Sequence, residues 1–253
     1  MMLAKKKSPA RVKVIDVPIS VVTLSSALEY ISRNLDYLRG GYVCAANAHT
    51  TVMAHEDEAY LKVQSHSVLT LPDGKPLAVV GRKKANEAIE KVTGTHFMQS
   101  IFMDSRFAGR KHYFYGTAEE DIEEMIINVR KIYPDMTICG YEPSVFRELN
   151  DSEMNALVDR INASEADFVW IALGAPRQEY LMYRLNGKVN ALMTGVGGAF
   201  HIIAGRINDA PQWMQNAGLE WLYRLYKEPR RLFKRYLVTN TKFIYYLLTS
   251  NKQ

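Results

Sequence analysis

Apolar positions in this chain fall into short blocks that alternate between two periods. Arg11 to Val17 alternates and is β-branched, which predicts a strand. Thr23 then precedes Leu24, Ala27, Leu28, Ile31 and Leu35, an amphipathic helix with a capping residue at its head, closed by Gly40-Gly41. Tyr42 to Ala46 is a buried strand running into Asn47-Ala48-His49, and a helix is expected from Thr50 to Gln64. Ser67 to Leu71 is a strand that Pro72-Asp73-Gly74 breaks, followed by a short helix at Pro76–Val80, a basic loop and a helix from Phe97 to Phe107. Strands are then predicted at His112–Tyr115, Met136–Cys139, Phe168–Leu173 and Ala191–Thr194. They alternate with helices at Glu119–Ile132, Ser152–Ala163, Pro176–Leu185 and Gly198–Ala204. Strands separated by helices of about 10–15 residues make βαβ units. The expected class is α/β, with a mostly parallel sheet of Rossmann-like βαβ units.

The alternation stops near Gly205. This divides the chain into an α/β body, residues 1–205 with a mobile basic leader at 1–10, and a helical appendage, residues 206–253. Leu219–Glu228 reads as one helix, and Pro229 suits the first turn of a second that runs to about Leu248. The net charge is +5, and it is uneven: from Arg224 onward eight Lys or Arg stand against one acid, Glu228. Basic residues interleaved with Leu222, Phe233, Tyr236 and Phe243 suit an anionic lipid surface. The same arginines suit a diphosphate; a solvated face covering the core is the plainer alternative. No apolar run approaches the ~20 residues of a membrane helix, and the basic N-terminus lacks a signal core. The expected place is the cytoplasm, or the inner face of the cell membrane as a peripheral protein. Cys44 and Cys139 sit in strand-like runs and read as buried thiols rather than a disulfide.

In open α/β sheets ligands bind at the carboxyl ends of the strands. Asn47-Ala48-His49, Pro72-Asp73-Gly74, Gly116-Thr117, Gly174 to Glu179 and Gly195-Val196-Gly197-Gly198 all follow strands, so a parallel sheet would gather them on one edge. Asp73 is the leading catalytic candidate. A carboxylate in that turn can serve as general base, or it can cap its own backbone. Gly195, Gly197 and Gly198 open a helix and would let backbone N–H groups approach a phosphate. However, Phe200 stands where a GxGxxG pattern needs its last glycine, and GxxxxGK[ST] is absent. Gln178 can hydrogen-bond a base or sugar; Glu179 in the same turn can instead be a solvated acid facing the helix dipole. The six histidines show no HxxxH or cysteine pairing, so no metal site is expected.

Together these motifs resemble the WecG/TagA/CpsF glycosyltransferases, glycosyltransferase family twenty-six, from about Val14 to Tyr236. The likeness is carried by Ala46-Asn47-Ala48-His49, Leu71-Pro72-Asp73-Gly74, Val92-Thr93-Gly94, Leu173 to Glu179, Gly195 to Phe200, Gly218 to Leu225 and Glu228-Pro229-Arg230-Arg231. It looks closest to exopolysaccharide-synthesis members. The resemblance implies an inverting transferase without metal or other cofactor. Such an enzyme moves N-acetylmannosamine, its uronic acid or glucose from a UDP-sugar to a polyprenyl-diphosphate-linked saccharide. It also implies that Asp73 is the base, that Asn47, His49, Lys91, Gln178 and Glu179 belong to the pocket, and that Arg224, Arg231 and Arg235 steady the diphosphate. Ala45 replaces a threonine of some members, Lys91 an arginine of many, and His201 a common aspartate, all around the pocket. A nucleic-acid-binding module is the alternative, supported by charge alone, with no RNP, HTH or KH pattern. A dehydrogenase lacks its glycine fingerprint. Nucleic acid is therefore not an expected partner, while the amphipathic tail leaves self-association open.

Overall fold

The computed structural model describes residues 7–208 and 210–250, without the side chains of Gln212, Gln215, Asn216 and Arg231. Most of the predicted leader lies outside the described residues. The chain opens with a hairpin, β1 (Arg11–Val14) and β2 (Val17–Ser20), paired antiparallel. A single strand was expected here. Ile15 instead takes a left-handed φ of 58° and turns the chain, at a residue type that carries no turn signal.

Helix α1 (Leu24–Leu38) begins where Thr23 predicts. Thr23 Oγ1 accepts from Ser26 N at 3.1 Å, and Ser26 Oγ accepts from Thr23 N at 2.9 Å, a reciprocal cap. Strand β3 (Tyr42–Ala46) follows, then α2 (Ala48–Glu56) and α3 (Glu58–Ser65). The one helix expected over 50–64 is broken at Asp57, whose carboxylate caps α3 by accepting from Ala59 N (2.9 Å) and Tyr60 N (3.2 Å). Next come β4 (Leu69–Pro72), α4 (Lys75–Ala85), α5 (Gly94–Met103), β5 (Lys111–Gly116), α6 (Glu119–Ile132) and β6 (Thr137–Glu142). The body continues with α7 (Asp151–Ala163), β7 (Phe168–Ala172), α8 (Arg177–Leu185), β8 (Leu192–Gly195) and α9 (Ala199–Ile203). Three helices complete the chain: α10 (Gln212–Ala217), α11 (Glu220–Lys227) and α12 (Pro229–Ser250).

Six strands form one sheet in the order β4-β3-β8-β7-β5-β6, every pair parallel. The class is the expected one. Along β7, Phe168 and Trp170 face one core with α1, α5, α6 and α9, while Val169 and Ile171 face a second with α7 and α8. A strand buried on both faces reads as a continuous apolar run, as Phe168 to Ala172 does. Strand β6 is an edge, so Cys139 is half-buried rather than buried as expected; both thiols are free. A third cluster joins the hairpin to α2, α3 and α4, and Phe243 of α12 belongs to it. Lys242 Nζ and Tyr246 Oη both reach Glu56 Oε1, at 2.6 and 2.7 Å, so the long last helix lies against α2.

Gly116 ends β5 at φ 136°, and a Cβ there would stand 2.6 Å from the Ala172 carbonyl oxygen. Gly109, at φ 74°, has nothing within 4 Å of the same position. Gly116→Ala is expected to lower the unfolding free energy by about 3 kcal/mol, from backbone strain plus overpacking. Gly109→Ala, with strain alone, should cost about 1 kcal/mol. Urea denaturation of the two variants checks the order; equal losses would show that the contact with Ala172 relaxes freely.

Candidate active site

The turns that leave β3, β4, β5, β7 and β8 open into one cavity of about 1500 Å³, roofed by α11 and α12. Asn47, His49, Asp73, Lys91, Gln178, Glu179, Gly195, Gly197, Gly198, Arg224 and Arg235 all line it. Of the residues expected at the site, only Arg231 is not placed, because its side chain lies outside those described. A second cavity of about 170 Å³ sits beside Glu142 and Arg160, whose charges are already paired with each other at 2.7 Å.

Asp73 is held at the end of β4. Its N–H reaches the Ala46 carbonyl at 2.7 Å and that of Leu71 at 2.9 Å. Asn47 caps α2: its Oδ1 accepts from His49 N (3.0 Å) and Thr50 N (3.2 Å). That fixes the amide, so its NH₂ side is the one left to donate to the Asp73 carboxylate. Val92 N–H donates to the Pro72 carbonyl at 3.0 Å and so brings Lys91 to the same place. Burial pushes the Asp73 carboxyl up to about 6. The Arg224 guanidinium opposes this, the neighbouring Glu220 carboxylate reinforces it, and Lys91 and the Asn47 hydrogen bond pull downward.

Glu220 had no assigned role in the sequence. Its Oε1 accepts from Lys91 Nζ at 2.7 Å, while Lys75 Nζ donates to the Ala217 carbonyl at 2.9 Å. The two lysines fasten α10 and α11 onto the turn that carries Asp73. The available signal was an acid at the head of an otherwise cationic run. His49 links the roof from the other side, its Nδ1 lying 3.3 Å from Thr239 Oγ1. Burial first, and the Arg235 charge second, hold its imidazole below the usual histidine range. The Nε of Arg235 is buried without a hydrogen-bond partner among the described residues.

Gln178 and Glu179 are not a solvated first turn: they are 4% and 0% exposed. Gln178 Nε2 donates to Glu179 Oε1 at 2.9 Å, and its Oε1 accepts from Gly197 N at 3.0 Å. A Cβ on Gly195 would lie 2.9 Å from Gln178 Nε2, so only glycine admits this approach. Periodicity placed the pair at a helix start, but it could not see that α8 begins against the end of β8. Burial pushes the Glu179 carboxyl up to about 7, opposed chiefly by the Gln178 hydrogen bond. Gly197's N–H is thereby committed to Gln178 rather than left for an anion.

His201 lies at the β5 end of the cavity. Its Nδ1 stands 3.5 Å from Asp121 Oδ2 and its Nε2 3.4 Å from Thr117 Oγ1. Arg206 also meets Asp121, at 3.2 Å. Thr117 was expected at this edge as part of the turn after β5, but Asp121 was not singled out in the sequence, because it meets His201 only when α6 and α9 pack side by side. Among the described residues no group of three or more His, Cys, Asp or Glu is placed to hold a metal ion.

The family model described as "Glycosyl transferase WecG/TagA/CpsF family" matches residues 12–253. Two similar proteins are both named N-acetylglucosaminyldiphosphoundecaprenol N-acetyl-beta-D-mannosaminyltransferase. The protein from Bacillus spizizenii is 28% identical over 78% of this chain and 75% of its own length. The one from Bacillus subtilis is 26% identical over 88% of this chain and 85% of its own length. With the match running across the whole α/β body and the helices that roof its cavity, the chain belongs to the WecG/TagA/CpsF family of glycosyl transferases.

Proposed function

We propose that this protein transfers a sugar from a UDP-sugar donor to a polyprenyl-diphosphate-linked saccharide, with inversion at the anomeric carbon. N-acetylmannosamine is the first candidate, because both relatives carry that activity in their names. One observation carries the reading: the Asp73 carboxylate at the end of β4, on a cavity wall with Asn47 fixed beside it and the Lys91 and Arg224 charges acting on it. Asp73 takes the proton of the acceptor hydroxyl as that oxygen bonds to the anomeric carbon. The bond from that carbon to the diphosphate oxygen breaks, and UDP leaves with the electron pair. A single displacement of this kind inverts the centre. Charge growing on the leaving diphosphate falls to the cavity's cations, Lys91, Arg224 and Arg235, in a partly desolvated site where such contacts are strong.

The outer side of the roof supports attachment to an anionic membrane. Trp213, Tyr226, Phe233, Leu237 and Leu248 are exposed there, with Lys227, Arg230 and Lys234 exposed among them. No helix among the described residues is long and apolar enough to cross a membrane. Peripheral attachment at the inner face, where such donors and lipid acceptors meet in polysaccharide synthesis, is the arrangement this favours. The split into a body of residues 1–205 and a roofing appendage belongs to the same proposal.

Asp73→Asn is expected to keep fold and UDP binding while turnover falls about 10²–10⁴-fold. Release of UDP from a panel of UDP-sugars, with an N-acetylglucosaminyl polyprenyl diphosphate acceptor, measures this; near-normal turnover would remove Asp73 as the base. A base must be unprotonated, so kcat/KM should rise with pH through about 6. Glu220→Gln removes a negative charge and frees Lys91, and both changes lower the Asp73 pKa. The acid limb of the profile should therefore move to lower pH; a shift upward would contradict the arrangement. Phe233 and Leu237 are each 61% exposed, so Phe233→Glu with Leu237→Glu should leave the fold intact. Sedimentation with anionic liposomes should fall at least about tenfold, as apolar burial and charge attraction are both lost; unchanged sedimentation would move the membrane contact elsewhere.

A further inference from the structure

The cavity changes character along its length. Its α12 wall includes Arg235, Thr239, Phe243 and Leu247, residues four apart and therefore on one helix face. That face passes from cationic through hydroxyl to apolar over about 18 Å, at 1.5 Å per residue. Beyond Arg235 no charged residue of α12 lines the cavity. Val79 and Val80 of α4 line the same cavity, and Val80 packs against the same apolar cluster as Phe243 and Leu247. Val79 is 38% exposed and Ile244 is 57% exposed, so apolar surface stands open to the cavity beside Phe243, which is itself buried against the body.

We propose that the groove between α4 and α12 takes the first isoprene units of the acceptor's polyprenyl chain. The assignment rests on the transferase reading above and deepens it. A polyprenyl diphosphate joins a compact anion directly to branched hydrocarbon. A site for it needs a cation and an apolar wall placed head to tail, and this face of α12 supplies them in that order. The partnerless Nε of Arg235 is a donor suited to a diphosphate oxygen at the head of the groove. Both walls are helices whose backbone groups are bonded internally, so an extended peptide would find no backbone partners there. Hydrocarbon needs none.

The test is chain-length selectivity in detergent micelles, where no bilayer contributes. Wild-type kcat/KM is measured with N-acetylglucosaminyl diphosphate carried on undecaprenol and on a five-carbon prenol. The long acceptor should be favoured at least tenfold. Val79→Asp and Ile244→Asp should each cut that ratio at least fivefold. Tyr245→Asp, on an exposed residue that does not line the cavity, should leave the ratio alone. Equal kcat/KM for the two acceptors in the wild type overturns the groove while leaving the transferase reading intact. A fall with Tyr245→Asp as large as with Val79→Asp also overturns it. Transfer to neither acceptor overturns both readings together. Light scattering covers the other occupant: if Val79→Asp turns a dimer into a monomer with the ratio unchanged, the groove belongs to a second copy of this chain.

Discussion

A sheet covered on both faces leaves charged side chains only its ends: Lys111 opens β5 and Glu142 closes β6. Strands β7 and β8 are buried along their whole length between two layers of helices, and desolvating an unpaired polar group inside would be costly. Chemistry is therefore confined to the turns beyond the strands. Because every strand points the same way, the turns at their carboxyl ends fall along one edge. Asp73, Asn47, Gln178 and the glycines after β8 are neighbours for that reason, although long stretches of chain separate them.

The alternating periods made the α/β class legible in the sequence, and with it the sheet edge on which the polar turns gather. Strand runs such as Phe168–Ala172 and the helix over Glu119–Ile132 were readable because burial alone dictates their pattern. The misreadings have local causes. Ile15 turns a hairpin without being a turn residue, and Asp57 caps a second helix in the middle of what looks like one. At the site, Asp73 was visible because proline and glycine flank it. Glu220 and the depth of Glu179 were not, since each depends on a partner far along the chain: Lys91 for one, the bare Cα of Gly195 for the other.

The electrostatics of the cavity divide between two acids, one half-buried and one fully buried. Asp73 is raised by burial yet surrounded by cations that keep it from rising further. Glu179 has no cation among the groups that act on it, and it rises further, to about 7. The difference fits their surroundings. Asp73 opens onto space a substrate can fill, whereas Glu179, on the same cavity wall but fully buried, orients the Gln178 amide that in turn holds the glycine turn.

The Lys91–Glu220 contact spans 129 positions of the chain. Two of the charges acting on Asp73, those of Glu220 and Arg224, sit on a helix that leaves the ribosome after the whole sheet has been made. A chain whose sheet is complete but whose last helices have not docked has its carboxylate in place and neither of those charges around it. The charged surroundings of Asp73 are thus the last thing this protein's assembly completes, and a half-made or clipped molecule holds the sheet edge of the cavity without its roof.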